Sequence, residues 1–151
     1  MKKLVIVFVL FVMCLNASSQ NIEKEKEAIQ KVIQTAYVEG LQNEGDAKKI
    51  DSGIHPHFHL LGISDGDEMW NLNINDWKSS QVKKRMDGEL PLSGDKKVSV
   101  KFKTIDVTGT AAVAKIEFFI GTRLTYIDYI SLYKFESGWK MVNKIFFKVE
   151  K

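Results

Sequence analysis

The last third of this 151-residue chain does most to limit what it can fold into. From Lys97 to Val149 almost every residue belongs to a strand-like run. The runs are interrupted only at Thr108-Gly109-Thr110, Gly121-Thr122-Arg123 and Ser137-Gly138. Breaks this short join neighbouring strands antiparallel. The pattern predicts a four-stranded meander: Lys97 to Val107, Ala111 to Ile120, Leu124 to Glu136 and Trp139 to Val149.

Turn lengths then divide the sheet into two faces, because directly opposed residues share a side. With Gly121-Thr122-Arg123 as a three-residue loop and Ser137-Gly138 as a two-residue one, one face is almost wholly apolar. It collects Ala112, Ala114, Ile116, Phe118 and Ile120, then Leu124, Tyr126, Asp128, Ile130 and Leu132, then Trp139, Met141, Asn143, Ile145 and Phe147. The other face mixes Lys115, Glu117, Lys140, Lys144 and Lys148 with Phe119, Ile127, Tyr129, Tyr133, Phe135 and Phe146. The first side must meet the helices. The aromatics of the second have no remaining element to cover them, which points to a homodimer through that face.

The helices come earlier. Ile29, Val32, Ile33, Ala36, Tyr37, Gly40 and Leu41 recur at three- and four-residue steps, predicting one long amphipathic helix from about Ile22 to Gln42. Gly45 ends it, and Asp46 caps a short second helix from Ala47 to about Ser52. Pro56 stops that helix. Phe58 to Ile63 and Glu68 to Leu72 read as a small hairpin about Ser64-Asp65-Gly66-Asp67, and Asn75 or Asp76 caps a third helix carrying Trp77, Val82 and Met86. Helices and a hairpin followed by a large sheet make the class α+β.

Residues 1–20 do not fit that domain. Lys2 and Lys3 precede an apolar run from Leu4 to Leu15, and Asn16-Ala17-Ser18-Ser19-Gln20 supplies small residues for cleavage. This is the pattern of a secretory signal peptide, too short for a spanning helix. The expected mature domain is 21–151, exported to the periplasm or beyond the cell. Cys14 would leave with the leader, and with it any thiol chemistry or disulfide. The formal charge of +3 falls to +1 once Lys2 and Lys3 are gone. So neutral a domain has no electrostatic case for nucleic acid or a membrane surface.

The element order resembles the cone-shaped fold of the nuclear transport factor 2-like (NTF2-like) superfamily, related to the cystatin-like roll. Within it the chain is most similar to the branch called putative lumazine-binding, beside the SnoaL-like polyketide cyclases and ketosteroid isomerases. The resemblance is carried by "AIQKVIQTAYVEGLQNEGD" (Ala28 to Asp46), "HP" (His55-Pro56), "TAAVAKIEF" (Thr110 to Phe118) and "TYIDYISLYKFESGWKMVNKIFF" (Thr125 to Phe147). It implies a pocket between the concave sheet face and the helices, and dimerisation through the convex face. It does not select a function, because this fold hosts enzymes, binding proteins and adaptors.

Asp128 is the only carboxylate on the apolar face. Burial disfavours the charged form of a carboxyl, making Asp128 a candidate acid or base near neutral pH, as in the isomerases that the resemblance brings in. Tyr37, Tyr126 and Asn143 would supply donors, and Phe118 apolar wall. Equally, Asp128 could accept hydrogen bonds from Tyr37 or Asn143 and fix helix to sheet. Trp70 and Trp77, on the elements that rim such a cone, could stack a flat ring, with core packing as the alternative.

His55, His57 and His59 are every histidine of the chain. Their alternation puts three imidazoles on one side of a strand, a weak candidate metal set. Pro56 bends the chain between them, and Phe58 and Leu60 have the stronger claim to the interior. A solvated histidine face is the favoured reading, with no metal or other cofactor. Lys144 with Ser131 reads as a solvent or interface pair. The serines have no histidine at triad spacing, and no glycine-rich phosphate loop occurs. The sequence therefore points to an exported dimeric domain binding a small apolar or heteroaromatic molecule. The alternatives are an isomerase- or cyclase-like enzyme using Asp128, and a protein-interaction domain whose cavity is filled.

Overall fold

A computed structural model describes residues 21–150. The expected leader over residues 1–20, Cys14 included, lies outside the described residues. The first helix (α1) is α-helical over 21–32 and continues without a break into wider π-helical turns over Ile33–Glu44. Its buried stripe includes Ile29, Ile33, Ala36, Tyr37 and Leu41, the spacing expected from the sequence. Gly45 ends it at φ 61°, a left-handed conformation that costs glycine nothing. A side chain there would also run into the Gln81 carbonyl.

Asp46 caps α2 (Ala47–Gly53), its carboxylate accepting from the Lys48 and Lys49 amides at 3.0 and 3.1 Å. Strand β1 (Ile54–Ile63) begins four residues before the expected Phe58 and runs through Pro56. The reason lies in its parallel pairing with the last strand. Between Ile54 and His59 that ladder shifts register, so β1 bows out where Pro56 has no N–H to give. A hairpin leads to β2 (Met69–Asn73). The cap of α3 (Ile74–Met86) is Asn73, rather than Asn75 or Asp76, and accepts from the Asp76 amide at 3.0 Å.

After a 3₁₀ turn at Gly94–Lys96 come the four long strands: β3 (Val98–Thr108), β4 (Ala111–Ile120), β5 (Arg123–Phe135) and β6 (Gly138–Lys148). The curved sheet has the order β2-β1-β6-β5-β4-β3, antiparallel except at β1–β6. Helices cover one side. Ile29, Ile33, Tyr37 and Leu41 of α1 share a buried cluster with Phe58, Ala114, Ile116, Ile130, Leu132 and Met141 of the sheet.

Three bulges set which residues reach that core. In β3, Lys103 is passed over, so inward positions change from Val98, Val100 and Phe102 to Ile105 and Val107. At the β4–β5 turn Ile120 pairs with Arg123 and Phe119 with Leu124, but Phe118 pairs with Tyr126. Leu124 therefore belongs with Phe119, not on the helix-facing side where the simple alternation put it. In β6, Leu132 pairs with Met141 but Ser131 with Asn143, leaving Val142 as the extra residue. Beyond it every β6 side chain changes face. Lys144 and Phe146 turn inward, and Asn143, Ile145 and Phe147 outward. That reverses the expected division for the end of the sheet.

Among the described residues no helix is long and apolar enough to cross a membrane.

Candidate functional site

The inward turn of β6 brings Lys144 beside the one acid of the helix-facing side. Asp128 is fully buried and Lys144 is 4% exposed. The ammonium nitrogen lies 2.9 Å from Asp128 Oδ1. It approaches off the hydrogen-bonding direction, so Oδ1 has no aligned donor. Oδ2 does have one: the Tyr37 hydroxyl, reaching down from α1, donates to it at 2.9 Å. Asp128 is thus not a lone carboxyl in hydrocarbon. It is the centre of a tyrosine–carboxylate–ammonium row that ties α1, β5 and β6 together.

Aromatic rings enclose the row. Lys144 Nζ stands 5.3 Å from the Tyr37 ring centre and 5.1 Å from that of Phe146, within cation–π range. Tyr37 meets Trp77 edge-on at 6.2 Å and Phe118 at 6.0 Å, and Tyr126 meets Phe118 and Phe146 at 5.7 and 5.5 Å. Between them is a cavity of about 200 Å³ lined by Tyr37, Gln42, Leu60, Trp77, Phe118, Tyr126, Lys144 and Phe146. Asp128 itself is not in the lining; Lys144 stands between it and the space. The electrostatics follow from burial. Loss of water pushes Lys144 below the ordinary lysine value, and the Asp128 charge only partly restores it. Burial first, then the Asp128 charge, holds Tyr37 well above the ordinary tyrosine value. At neutral pH Tyr37 is a donor, not a base.

Of the residues singled out from sequence, Tyr37, Trp77, Phe118 and Tyr126 meet at this cavity, with Asp128 directly behind it. Trp70 lies across the β1–β2 hairpin, flat over Gly62, where any side chain would collide with its ring. It reaches Phe146 at 6.0 Å, so it backs a wall residue instead of lining the space. Asn143 is corrected outright. The Val142 bulge turns it to the outer face opposite Ser131, with its amide 3.4 Å from the His59 carbonyl. Lys144, Phe146 and Gln42 were not expected here, whereas Leu60 faces inward as the sequence indicated. Its place opposite Lys144 follows from β1 pairing with β6, a crossover that no short-range pattern encodes.

The histidines gather loosely. His55 stacks on Phe135 at 4.9 Å and its Nδ1 accepts from the His57 amide at 3.1 Å, while His57 and His59 are exposed. Among the described residues no three His, Cys, Asp or Glu are placed to hold a metal ion.

A curved, mostly antiparallel sheet with helices packed across one side is the NTF2-like fold. The structure is similar to an NTF2-like protein of unknown function from Shewanella baltica OS155, with a TM-score of 0.62, 22% identity, and 85% and 96% of the two chains covered. It is also similar to one from Silicibacter pomeroyi DSS-3, with a TM-score of 0.64, 15% identity, and 87% and 98% covered. The chain belongs to the family described as "Putative lumazine-binding", whose profile matches residues 24–147. Among characterised proteins it is similar to Aldolase FrzH of a Cladobotryum species, 28% identical over 118 residues, covering 76% of this chain and 86% of that one.

Proposed function

We propose that this chain is an exported domain that binds a small, flat, largely apolar molecule carrying a carbonyl or other acceptor group. The observation that carries the reading is the aromatic-walled cavity with a single ammonium, Lys144, in its wall. Tyr37, Trp77, Phe118, Tyr126 and Phe146 offer ring faces and edges to a planar molecule. In so dry a place an acceptor on the molecule gains a charge-assisted hydrogen bond from Lys144. At about 200 Å³ the space is below the usual range for drug-sized ligands, so it fits one or two fused rings. It weighs against an interaction domain with a filled interior.

Enzymatic use of the same pocket is a second reading. The likeness to a protein named an aldolase favours a carbonyl compound as occupant, and the Tyr37–Asp128–Lys144 row can hold and move protons beside it. Asp128 would act there through Lys144, not by touching the substrate.

The test is native mass spectrometry of the purified chain, paired with tryptophan fluorescence on adding a flat heteroaromatic carbonyl compound such as lumazine. Retained or added small molecule should appear as a discrete complex, and Trp77 emission should change. Leu60→Trp, which fills the cavity, should abolish both. A wild-type chain that carries nothing and shows no fluorescence response overturns the reading. Export is checked by the mature N-terminus, expected just after residue 20.

A further inference from the structure

We propose that Lys144 is a carbonyl-capturing amine, whose Nζ condenses with an aldehyde or ketone seated in the aromatic cavity to form an imine. This rests on the pocket reading above and goes beyond it, from holding a carbonyl compound to bonding it.

Three observations converge. Lys144 is the only lysine in the cavity lining, and it is nearly without water. A lysine desolvated among apolar side chains gives up its proton more readily and becomes a nucleophile, and burial does lower Lys144 in this way. Second, a proton acceptor is already in place. Asp128 Oδ1 is 2.9 Å from Nζ and has no aligned donor of its own, while Tyr37 fixes the other oxygen and with it the plane of the carboxylate. Third, beyond fixing the β6 register the ion pair adds little net stability. Two buried charges give back little more than their desolvation costs, and apolar side chains of the same volume hold a fold as well.

The step balances within the site. Lys144 passes one proton to Asp128, and the freed nitrogen pair bonds to the carbonyl carbon as the C=O π pair moves onto oxygen. A water in the cavity carries a proton from the nitrogen to that oxygen, leaving a neutral carbinolamine with Asp128 still protonated. Asp128 then returns its proton to the nitrogen, and the water relays one from nitrogen to the hydroxyl, which departs as water while the nitrogen pair closes the C=N bond. The net change is ammonium plus carbonyl to iminium plus water, with Asp128 ionised at start and finish. The iminium keeps the same counter-charge that the ammonium had, so no new charge is buried. Tyr37 contributes by holding the carboxylate, as a positioning residue.

Benzaldehyde with sodium borohydride at neutral pH tests the step in the purified full chain. Peptide mapping locates the benzyl group, and Trp77 fluorescence reports cavity occupancy separately. At limiting aldehyde Lys144 should carry most of the label, ahead of surface lysines such as Lys101 and Lys115. Naphthalene should protect Lys144 and leave the surface lysines unaffected. Labelling at Lys144 should begin at lower pH than that of a free alkyl amine. Lys144→Arg should lose the cavity label and leave labelling of the surface lysines unchanged. Label confined to surface lysines while Trp77 responds overturns the amine chemistry and leaves the pocket reading standing. Neither label at Lys144 nor a response overturns both.

Discussion

Tyr37 and Lys144 approach opposite oxygens of one buried carboxylate, so each residue's removal has a distinct signature. Asp128→Asn leaves the Lys144 ammonium buried with no counter-charge, and is expected to cost about 3–5 kcal/mol in urea unfolding. Tyr37→Phe bares Oδ2 and should cost about 1–3 kcal/mol at neutral pH. It should also change the alkaline limb of stability. Tyr37 is raised above 10.0 in the folded chain. Once pH passes that ordinary value, the unfolded chain loses a proton the folded one keeps, and stability falls with rising pH. Lys144 works the other way. Its folded value lies below 10.5, so between the two the unfolded chain holds the proton more strongly, and stability rises with pH. Unfolding measured from neutral pH to beyond 10.5 should show the Lys144 rise abolished in Lys144→Met, and the fall above 10.0 reduced in Tyr37→Phe. An alkaline limb identical in Tyr37→Phe and wild type would count against this assignment.

At the scale of elements, most of the arrangement could be read ahead of the structure, and the exceptions share one cause. Periodicity located α1, α2 and the four C-terminal strands, because apolar spacing and glycine turns act over a few residues. A bulge leaves no comparable trace. In Asn143-Lys144-Ile145-Phe146-Phe147 each alternation offers at least one large apolar side chain to the core, so pattern alone cannot choose the parity. What decides it is Asp128: a buried acid needs a cation, and only the slipped register supplies Lys144. That argument was available from sequence, and so was the inward side of Leu60, whereas the parallel β1–β6 pairing that sets Leu60 opposite Lys144 was not. Deleting Val142 removes the extra residue, so Asn143 follows Met141 in simple alternation and Lys144 stays inward. We expect a folded chain whose Trp77 fluorescence still responds to lumazine, and loss of that response would count against the bulge as the source of the inward turn. A second tie joins α1 to β3. The Asn43 amide nitrogen donates to the Val38 and Val98 carbonyls, and its oxygen accepts from the Val98 amide at 2.8 Å. Asn43→Ala bares these buried groups, at about 1–3 kcal/mol each, and amide exchange should quicken first at the start of β3.

For the whole molecule, the face reversed by the Val142 bulge is the one turned away from the helices. Tyr129 pairs with Ile145 and Ile127 with Phe147, so the outer side of β5 and β6 carries a band that is more apolar than simple alternation suggests. Val113, Tyr129, Ile145 and Phe147 are each 38% to 60% exposed. No element of the described residues covers them. Since the helices are all committed to the inner side, we propose that a second copy covers it: a two-fold axis can set this band against itself with no new surface required. Phe146, on the outer side by simple alternation, instead lines the cavity and is the wrong residue to probe this contact. Ile145 and Phe147 take its place. Phe147→Glu or Tyr129→Glu should shift the chain from dimer to monomer in size-exclusion chromatography with light scattering, while Trp77 still responds to lumazine, because cavity and band lie on opposite sides of one sheet. Asn143→Asp, on the same outer face but bonded toward β1, serves as a control for added charge. A wild-type chain that elutes as a monomer at every concentration, or a Phe147→Glu chain that stays dimeric, would remove the outer face from consideration.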